Sequence, residues 1–413
     1  MSGLGPLVAD TSLSVSTGLP GVSGTCRAHL TELVRREWRL PCPGARPGDG
    51  AWAVELEDFL AGHGLPVRDL TASASRSGHA VCGAAVLLSA SAGAALVGAP
   101  ALPSPAPAVP DVVAVVYGPG GRAQSAPPRP FRVGPWRASW SAEAHAGAVA
   151  AVREAIGRGD VYQVNVVGHA SAQYLGDPVP ALRRLGGLAG ARYGGVLHSR
   201  DRAGWAVGCA SPETLVEVRG GPGATVRTRP IKGTRPATPT GRAELLASAK
   251  ERAEHVMIVD LERNDLAQVA GTGTVRVERL FELAEWAGLW QAESEVVADL
   301  RPGTGLAALL AAVFPGGSVT GAPKLAALDT IATVEAVGRG PSMGAFGWIG
   351  PDGLDLGLTI RTVAADAERL HVWAGGGITW GSDPAAEVAE ADAKAGPLRA
   401  ALAGLIGPAV RRS

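Results

Sequence analysis

From Ser141 onward, helical stretches alternate with pairs of short strands that are joined by tight, glycine-containing turns. The hydrophobic periodicity predicts helices at 141–157, about 240–264, 304–312, and from Pro323 and Pro384. Strands are predicted at 161–174, around 194–218, and at 224–231, 344–349, 354–364 and 369–378. Strands joined by short turns pair antiparallel, whereas parallel strands need a longer crossover connection. The pattern therefore predicts an α+β fold rather than an alternating α/β fold.

The first third of the chain is less regular. Residues 1–24 are small and polar, and we expect a flexible tail there. Within 25–135 we expect a helix at 29–38, then weak strands. The uncharged run at 81–102 is mostly Ala, Gly and Ser, which predicts two buried strands joined by a turn rather than a membrane helix. We expect 136–405 to carry the functional site, in one structural unit with 25–135, and 406–413 to form a C-terminal tail.

Charge and cysteine content exclude several classes of protein. The 413 residues contain 38 Lys and Arg and 38 Asp and Glu, so the formal net charge is zero. Nucleic-acid binders carry a basic excess that neutralises phosphates, and surface-bound membrane proteins carry basic clusters. We therefore expect no nucleic-acid partner and no membrane partner. The N-terminus does not resemble a signal peptide, and the four cysteines show no CxxC spacing, which favours a reducing, cytoplasmic location.

One predicted hairpin brings an acid and an amine together. Residues 213–218 and 224–231 flank the turn at 219–223, so position 213 is predicted to face about position 230. Glu213 and Lys232 then meet at the open end of the hairpin. Burial can leave a lysine amine uncharged, and such a pair can act as acid/base and nucleophile. A salt bridge at the rim of the hairpin is the alternative interpretation.

Two predicted helices each carry a pair of glutamates with i, i+3 spacing. Glu251 and Glu254 lie on the helix at 240–264, and Glu387 and Glu390 lie on the last helix. Residues three apart project from one face of a helix. Carboxylates from two helices can bind a hard divalent cation such as Mg²⁺, which keeps water ligands and takes substrate oxygens. Solvated helix faces are the alternative interpretation.

Two further segments are candidates for holding an anion. The glycine-rich loop at 314–324 leads into a helix, whose first N–H groups attract a carboxylate or phosphate. This loop lacks the GK[ST] ending of a P-loop, so a carboxylate ranks above a nucleotide. A second hairpin, 354–363 with 370–378, is predicted to place Arg361 opposite Trp373 and the glycines at 375–377 beside 357–359. A guanidinium beside bare backbone suits a small carboxylate, although such glycines are also typical of a bulge.

Taken together, these motifs favour a compact, doubly anionic metabolite, and they resemble the family of chorismate-utilising enzymes. The motifs follow in order from about 141 to 400: GDVYQVN at 159–165, PIKGTRP at 230–236, EHVMIVDL at 254–261, RND at 263–265, FPGGSVTGAPK at 314–324, IRT at 360–362 and AGGGI at 374–378. The resemblance implies one large α+β unit of two face-packed, mainly antiparallel β-sheets flanked by helices.

The resemblance also implies a magnesium site. Glu254 and Glu390 correspond to direct ligands of the ion. Glu251 and Glu387 correspond to partners that act through water. The ion would neutralise the ring carboxylate of chorismate and orient the ring.

Substrate contacts are implied in the same way. Arg361, with the backbone of Gly376 and Gly377, corresponds to the group that binds the enolpyruvyl carboxylate. Thr320 and Lys324 correspond to contacts near the ring.

Two positions depart from the family pattern. Trp348 stands where the family often has tyrosine, so a hydroxyl contact to the substrate is expected to be lost. Gln291 replaces a histidine, and an amide cannot transfer protons as an imidazole does. The second change favours lysine chemistry over anthranilate formation.

The residue after Pro-Ile separates the members of the family by reaction. Anthranilate synthases usually carry Ala there, whereas lysine-type aminodeoxychorismate synthases, component I (the large subunit of para-aminobenzoate synthase), carry Lys, which is Lys232 here. The resemblance implies that the Lys232 amine adds to C2 of chorismate as the C4 hydroxyl leaves, with Glu213 as acid/base. Ammonia then enters at C4 and gives 4-amino-4-deoxychorismate, for folate or for secondary metabolites derived from 4-aminobenzoate.

The sequence contains no Gly-x-Cys-x-Gly elbow of a glutaminase. We therefore expect ammonia to come from solution or from a separate glutamine amidotransferase subunit, component II. The alternatives are an anthranilate synthase component I, an isochorismate or salicylate synthase, and a non-catalytic subunit that only binds a partner.

Overall fold

Two antiparallel β-sheets form the centre of the protein, and helices pack against them. The computed structural model describes residues 30–40, 50–72, 81–120, 130–199 and 204–404. Among these residues the strands are β1 (Leu30–Trp38), β2 (Gly83–Leu88), β3 (Val112–Pro119), β4 (Arg132–Val133), β5 (Arg137–Ala138), β6 (Gln163–Leu175), β7 (Tyr193–His198), β8 (Ala206–Ser211), β9 (Thr214–Arg219), β10 (Thr225–Arg229), β11 (Ile231–Pro236), β12 (Arg276–Trp286), β13 (Leu289–Asp299), β14 (Gly321–Ala322), β15 (Ala345–Gly350), β16 (Gly353–Leu358), β17 (Thr362–Ala365) and β18 (Arg369–Ile378). The helices are α1 (Ala51–Gly62), α2 (Ala90–Leu96), α3 (Ala142–Arg158), α4 (Pro178–Arg183), α5 (Pro239–Ala247), α6 (Ala249–Ala267), α7 (Leu306–Val313), α8 (Lys324–Val334) and α9 (Pro384–Leu402), with 3₁₀ turns at Arg184–Gly187 and Gly317–Val319.

The strand order brings distant parts of the chain into each sheet. The first sheet has ten strands in the order β1-β3-β2-β15-β16-β9-β10-β13-β11, with β12 paired to β13. The second has eight, in the order β14-β6-β18-β17-β8-β7, with β4 and β5 paired to β6. The largest apolar cluster contains side chains of both sheets, which therefore pack face to face. This arrangement confirms the predicted α+β fold.

Close contact between the sheets depends on a glycine. Tyr193 on β7 of the second sheet is fully buried and lies against Gly357 on β16 of the first sheet. A Cβ atom on Gly357 would overlap the Tyr193 ring. The Tyr193 hydroxyl donates to Asp355 and lies 2.7 Å from the Thr214 hydroxyl, from which it can accept, so the ring has little freedom to move aside.

The first strand corrects a prediction. Residues 29–38 were expected to form a helix, but β1 is an edge strand that pairs with β3. Apolar residues at helical spacing did not decide the structure, because the open edge of β3 offers backbone partners along its whole length. Charged side chains such as Arg35 and Glu32, which pair at 3.0 Å, are typical of an edge that must not pair further.

The uncharged run at 81–102 is also corrected in part. It forms one buried strand, β2, followed by helix α2 instead of a second strand. The Ser89 side chain accepts a hydrogen bond from the N–H of Ala92 at 3.0 Å and so caps this helix. Within the described ranges, no helix has both the length and the apolar character needed to cross a membrane.

The first hairpin pairs close to the predicted register. Thr214 faces Arg229, which is the neighbouring pair in the register that places position 213 opposite position 230. Lys232 lies beyond this hairpin on β11, where it pairs with Ala292 of β13.

The second predicted hairpin is confirmed only near its turn, where β17 pairs with β18 and Val363 faces Val372. The earlier part, β16, belongs to the first sheet and does not pair with β18. Arg361 therefore does not face Trp373, because it lies between the sheets, before the β17 ladder begins at Thr362. The glycines at 375–377 pair with 165–167 of β6 rather than with 357–359. Two apolar strands that are close in sequence give the same pattern as a hairpin even when they belong to different sheets. The sequence alone does not show that the chain changes sheet between them.

The long helix expected at 240–264 is two helices, α5 and α6. Ser248 lies between them, and its side chain accepts a hydrogen bond from the N–H of Glu251 at 3.2 Å. This cap starts a new helix without separating Glu251 from Glu254. At the last helix, Asp383 caps α9 as its sequence indicates.

Some predictions lie outside the described residues. These include the two tails, 1–24 and 406–413. The division at 135/136 stays a prediction, although β1, β2 and β3 share their sheet with β15 and β16.

Two glycine substitutions test the packing between the sheets. Gly357→Ala should lower the thermal unfolding midpoint, because overpacking of this kind costs about 1–3 kcal/mol or more. Gly147→Ala is the matched control, since Gly147 lies in α3 with open space at its Cβ position. Removing a helix glycine should stabilise the protein by about 0.5–1 kcal/mol. An unchanged midpoint for Gly357→Ala would contradict the close contact between the sheets.

Candidate active site

The candidate site lies where the chain crosses twice from one sheet to the other. Glu213 lies between β8 of the second sheet and β9 of the first, and Arg361 lies between β16 and β17. The two crossings are hydrogen-bonded side by side: Leu358 N–H donates to the Glu213 carbonyl at 3.0 Å, and Ala210 N–H donates to the Arg361 carbonyl at 3.1 Å. Both side chains therefore come from the junction of the two sheets.

A pocket opens at this junction, with about 710 Å³ of space including the solvent in its mouth. The pocket is lined by Asn165, Glu213, Ile231, Lys232, Gly233, Thr234, Glu251, Glu254, Gln291, Ser318, Val319, Met343, Ile360, Arg361, Gly375, Gly376, Gly377, Glu387, Glu390 and Lys394. Most residues that the sequence singled out therefore meet in one place.

Lys232 holds its amine inside the pocket. Its Nζ lies 3.3 Å from Glu254 Oε2 and donates to the Gly377 carbonyl at 3.2 Å, and 14% of the side chain is exposed. The expected partner, Glu213, lines the same pocket, but no ion pair joins it to Lys232 among the described residues. The predicted pair is corrected to Lys232–Glu254, because β11 turns away from the hairpin to follow β13.

Glu213 is a buried carboxyl group with few partners. Its Oε1 accepts a hydrogen bond from the Ser318 hydroxyl at 2.6 Å and from the Ile231 N–H at 3.4 Å. Burial raises the pKa of Glu213 to about 7, although the Ser318 hydrogen bond works in the opposite direction. The group can therefore hold or release a proton near neutral pH, as a general acid or base must.

The four predicted metal ligands line one pocket. Glu251 and Glu254 come from α6, and Glu387 and Glu390 come from α9. A Cβ atom on Gly376 would lie 3.1 Å from Glu387 Oε2 and 4.0 Å from Glu390 Oε1, so the bare backbone lets these carboxylates approach.

Positive side chains neutralise several of these carboxylates. Glu390 Oε1 lies 2.6 Å from Lys394 Nζ, and Glu251 Oε1 lies 3.3 Å from Arg235. For Glu390, burial disfavours the charged form, but the ion pair with Lys394 outweighs it and lowers the pKa. For Glu387, burial is the largest effect and raises the pKa, with repulsion from Glu390 adding to it.

These four glutamates are the candidates for holding magnesium. All four side chains offer hard oxygen ligands, which Mg²⁺ prefers. The two carboxylates that are candidates for direct ligands, Glu254 and Glu390, each face a positive charge. Glu254 lies against Lys232, and Glu390 lies against Lys394. Within the described part of the chain, however, no three acidic, His or Cys side chains lie close enough to hold a metal as they stand.

Arg361 is a buried cation that lacks an anionic partner. Its residue is 5% exposed, its φ of 55° is in the left-handed region, and its guanidinium lies over the Trp286 ring at 4.8 Å. Nε has no hydrogen-bond partner, and no carboxylate among the described residues forms an ion pair with this side chain. Burial lowers the pKa of Arg361 to about 10, against the effect of Glu390 and Glu213. A buried guanidinium in this state is a candidate binding site for an anion.

The glycines at 375–377 form another wall of the pocket. They pair with β6, and a Cβ atom on Gly377 would lie 2.6 Å from the Lys232 amine. Any larger residue there would displace the amine. The glycines therefore serve close approach to the pocket rather than a bulge.

Several further residues at the site lie within the sequence motifs but were given no role from the sequence. Asn165 and Ser318 line the pocket, and Lys394 pairs with Glu390 four residues earlier. Gln163 is 1% exposed, and its Nε2 lies next to Gly377; neither polar atom of its amide has a hydrogen-bond partner within the described part of the chain. Two signals were available: Gln163 and Asn165 alternate along one face of a strand, and the i, i+4 spacing of the Glu390–Lys394 pair is typical of helix ion pairs.

Three predicted contact residues lie away from the pocket lining. Thr320 is buried, and its hydroxyl donates to a carbonyl of its own loop at 2.8 Å. Lys324 pairs with Asp265 at 3.0 Å. Trp348 lies in the core, where its ring stacks on Tyr117 at 5.9 Å. The resemblance placed Thr320 and Lys324 near the ring, and Trp348 at a position where the family often has a tyrosine that contacts the substrate. Each of the three side chains contacts a partner elsewhere, so we leave them out of the proposed substrate contacts.

Comparison with known proteins agrees with this geometry. The family model described as chorismate binding enzyme matches residues 103–400. Anthranilate synthase component 1 of Streptomyces coelicolor is 40% identical over 262 residues, which are 62% of this chain and 50% of that protein. Aminodeoxychorismate synthase component 1 of Klebsiella aerogenes is 38% identical over 262 residues, 62% of this chain and 57% of that protein. The chain spans a little over half the length of these relatives.

Solved structures share the fold at lower identity. Anthranilate synthase component I from Streptococcus pneumoniae TIGR4 has a TM-score of 0.71 and 23% identity, covering 89% of this chain and 90% of that chain. A putative 2,3-dihydroxybenzoate-specific isochorismate synthase from Bacillus anthracis has a TM-score of 0.66 and 20% identity, covering 92% and 94%. Because the family match covers most of the sequence and contains the whole pocket, the chain belongs to the family of chorismate binding enzymes.

Proposed function

We propose that the chain is an aminodeoxychorismate synthase component I, which aminates chorismate at C4 with ammonia in a magnesium-dependent reaction. The observation that carries this proposal is the position of the Lys232 amine, 3.3 Å from Glu254 and inside the pocket. A lysine nucleophile must lie where the substrate ring is bound, next to the groups that hold the ring. An amine that faced bulk solvent, away from the glutamates, would not meet this requirement.

The pocket offers a partner for each carboxylate of chorismate. Arg361, with the backbone of Gly376 and Gly377, is proposed to bind the enolpyruvyl carboxylate, since its guanidinium is buried without an anion. Magnesium would supply charge neutralisation at the ring carboxylate. Glu254 and Glu390 would bind the ion directly, while Glu251 and Glu387 would act through water.

The proposed reaction has two displacements. First, the Lys232 amine, in its neutral form, makes a bond to C2 as the bond from C4 to its hydroxyl breaks, and Glu213 gives its proton to the leaving oxygen, which departs as water. Ammonia then forms a bond to C4, the bond from C2 to lysine breaks and releases the neutral amine, and the C4 ammonium gives one proton back to Glu213. Covalent catalysis of this kind divides one difficult displacement into two easier ones. The product is 4-amino-4-deoxychorismate, with the enolpyruvyl group retained.

The source of ammonia is part of the proposal. Similar relatives are named component 1, which implies a second component for those proteins. We propose a separate glutamine amidotransferase, component II, as the partner that delivers ammonia to this chain. Ammonium salts should replace it in vitro. The product would serve folate synthesis or a secondary metabolite derived from 4-aminobenzoate.

Anthranilate synthase component I is the second candidate, because relatives of both kinds have similar identity to this chain. Lys232, where anthranilate synthases usually carry Ala, favours amination at C4. Gln291 is 3% exposed and lines the pocket, so no imidazole is available at that place. An isochorismate or salicylate synthase and a non-catalytic subunit rank lower, the latter because every proposed catalytic and metal-binding side chain is present.

Product analysis tests the proposal. Purified protein with chorismate, magnesium and an ammonium salt should form 4-amino-4-deoxychorismate, identified by liquid chromatography and mass spectrometry. Lys232→Ala should reduce this activity by at least about 10³-fold, because losing the nucleophile of a covalent mechanism is severe.

Lys250→Ala is the matched control for this experiment. Lys250 lies 3.8 Å from the same glutamate, Glu254, but about half of its side chain is exposed and it does not line the pocket. Its variant should keep most of the activity. Formation of anthranilate or isochorismate by the unmodified chain would contradict the assignment, and full activity of Lys232→Ala would exclude the nucleophilic role.

The pKa of Glu213 gives a pH prediction. Burial raises this pKa to about 7, so the carboxyl group is protonated below that pH and ionised above it. As the acid for the leaving hydroxyl, Glu213 is active when protonated, and kcat/KM should fall as the pH rises through about 7. Ser318→Ala removes a hydrogen bond that stabilises the carboxylate, so the falling limb should move to higher pH. An unmoved limb in Ser318→Ala would show that another group titrates.

A further inference from the structure

A buried ion pair lies behind the pocket, at the end of α8. Glu335 and Arg339 are four residues apart, and their side chains are 1% and 7% exposed. Arg339 Nε donates to both Glu335 carboxylate oxygens, at 3.1 and 3.0 Å, and a terminal nitrogen donates to Oε1 at 2.6 Å. Neither residue lines the pocket. A buried ion pair is costly to desolvate and contributes little net stability, so its presence calls for another explanation.

The remaining hydrogen bonds of this pair all go to backbone groups. Arg339 donates to the carbonyl of Val319 at 2.6 Å and to the carbonyl of Asn165 at 2.7 Å. Glu335 accepts from the N–H of Val167 at 2.9 Å. The pair therefore joins strand β6 to the loop before β14. Only a planar guanidinium has enough fixed donors to make these contacts while it also binds a carboxylate.

Both joined segments form walls of the candidate active site. Asn165 and Val319 line the pocket, and the residue before Val319 is Ser318, whose hydroxyl donates to Glu213. On the strand side, residues 165–167 pair directly with the glycines at 375–377. A shift of Arg339 would thus move the donor to Glu213 and the glycine wall together.

We infer that Glu335 and Arg339 are positioning residues, which hold the Ser318 hydroxyl on Glu213 and keep the glycine wall in place. Their action on catalysis rests on the proposed function, since it is exerted through Glu213. The pair touches neither the pocket nor the substrate. Displacements of about 1 Å at a reacting group can cost about 10²-fold in rate, so a support of this kind has a measurable effect.

Arg339→Lys tests the inference. Lysine keeps the charge beside Glu335 but cannot bind both carbonyls with a rigid fork. We expect kcat to fall about 10- to 100-fold. We also expect the pH limb assigned to Glu213 to move upward, as in Ser318→Ala. Adding Ser318→Ala to Arg339→Lys should then cause little further change, because both substitutions remove the same interaction.

Arg184→Lys is the matched control. Arg184 also donates to two backbone carbonyls, those of Ala401 and Leu402, but at the far end of α9 from the glutamates. This variant should keep the parent kcat and pH profile. Three results would overturn the inference. These are an equal loss of kcat in Arg339→Lys and Arg184→Lys, a pH limb that does not move in Arg339→Lys, and additive effects of Arg339→Lys and Ser318→Ala. If Arg339→Lys does not fold, Glu335→Gln gives the same comparison.

Hydrogen exchange separates this inference from the proposed function. In Arg339→Lys, but not in Arg184→Lys, amides at 163–167 and 316–320 should exchange faster, whatever reaction the protein catalyses. Unchanged exchange there would overturn the inference even if the product is 4-amino-4-deoxychorismate. A different product from chorismate would refute the proposed function, while the comparison of rates, pH limb and exchange would still decide the role of the pair.

Discussion

The site depends on two backbone crossings that are hydrogen-bonded to each other at the junction of the sheets. Within a ladder, side chains point above or below a sheet, and backbone groups are used by neighbouring strands. At the crossings, Glu213 and Arg361 leave the ladders and face the pocket. The bonds from Leu358 to Glu213 and from Ala210 to Arg361 keep the crossings together. Packing of the two sheets therefore sets the distance between an acid and an anion-binding cation.

Charge balance explains which kind of ligand the pocket at this junction can bind. Lys232 and Lys394 lie against Glu254 and Glu390, so these charges neutralise each other. Arg361 alone is buried without an anion among the described residues. A divalent cation and a dianion that bound together, as proposed, would add no net charge to a poorly solvated site. Burial of charge is costly unless it is compensated, so simultaneous binding is the favourable course.

Local signals predicted much of this site, and long-range pairing did not follow from them. The i, i+3 glutamates, the capped helix at Pro384 and the first hairpin depend on residues close in sequence, and the structure places them as expected. The failed predictions are the helix at 29–38 and the part of the second hairpin away from its turn, and both depend on which distant strand offers a free edge. Lys232 was predicted to meet Glu213 but pairs with Glu254. Long-range pairing is again the reason, because β11 pairs with β13 and so leaves the hairpin. The positions of Glu335 and Arg339 are equally hard to predict from sequence, since their side chains bind backbone groups up to 174 residues away.

A covalent bond between one lysine and the substrate ring is the most direct consequence of the proposed chemistry. Intact-protein mass spectrometry of the chain, mixed with chorismate and magnesium but without ammonia, measures it. We expect an added mass equal to chorismate less one water, located by peptide mapping to Lys232 and discharged when an ammonium salt is added. Amination that proceeds at full rate with no such adduct, or an adduct on another residue, would contradict the role of this amine.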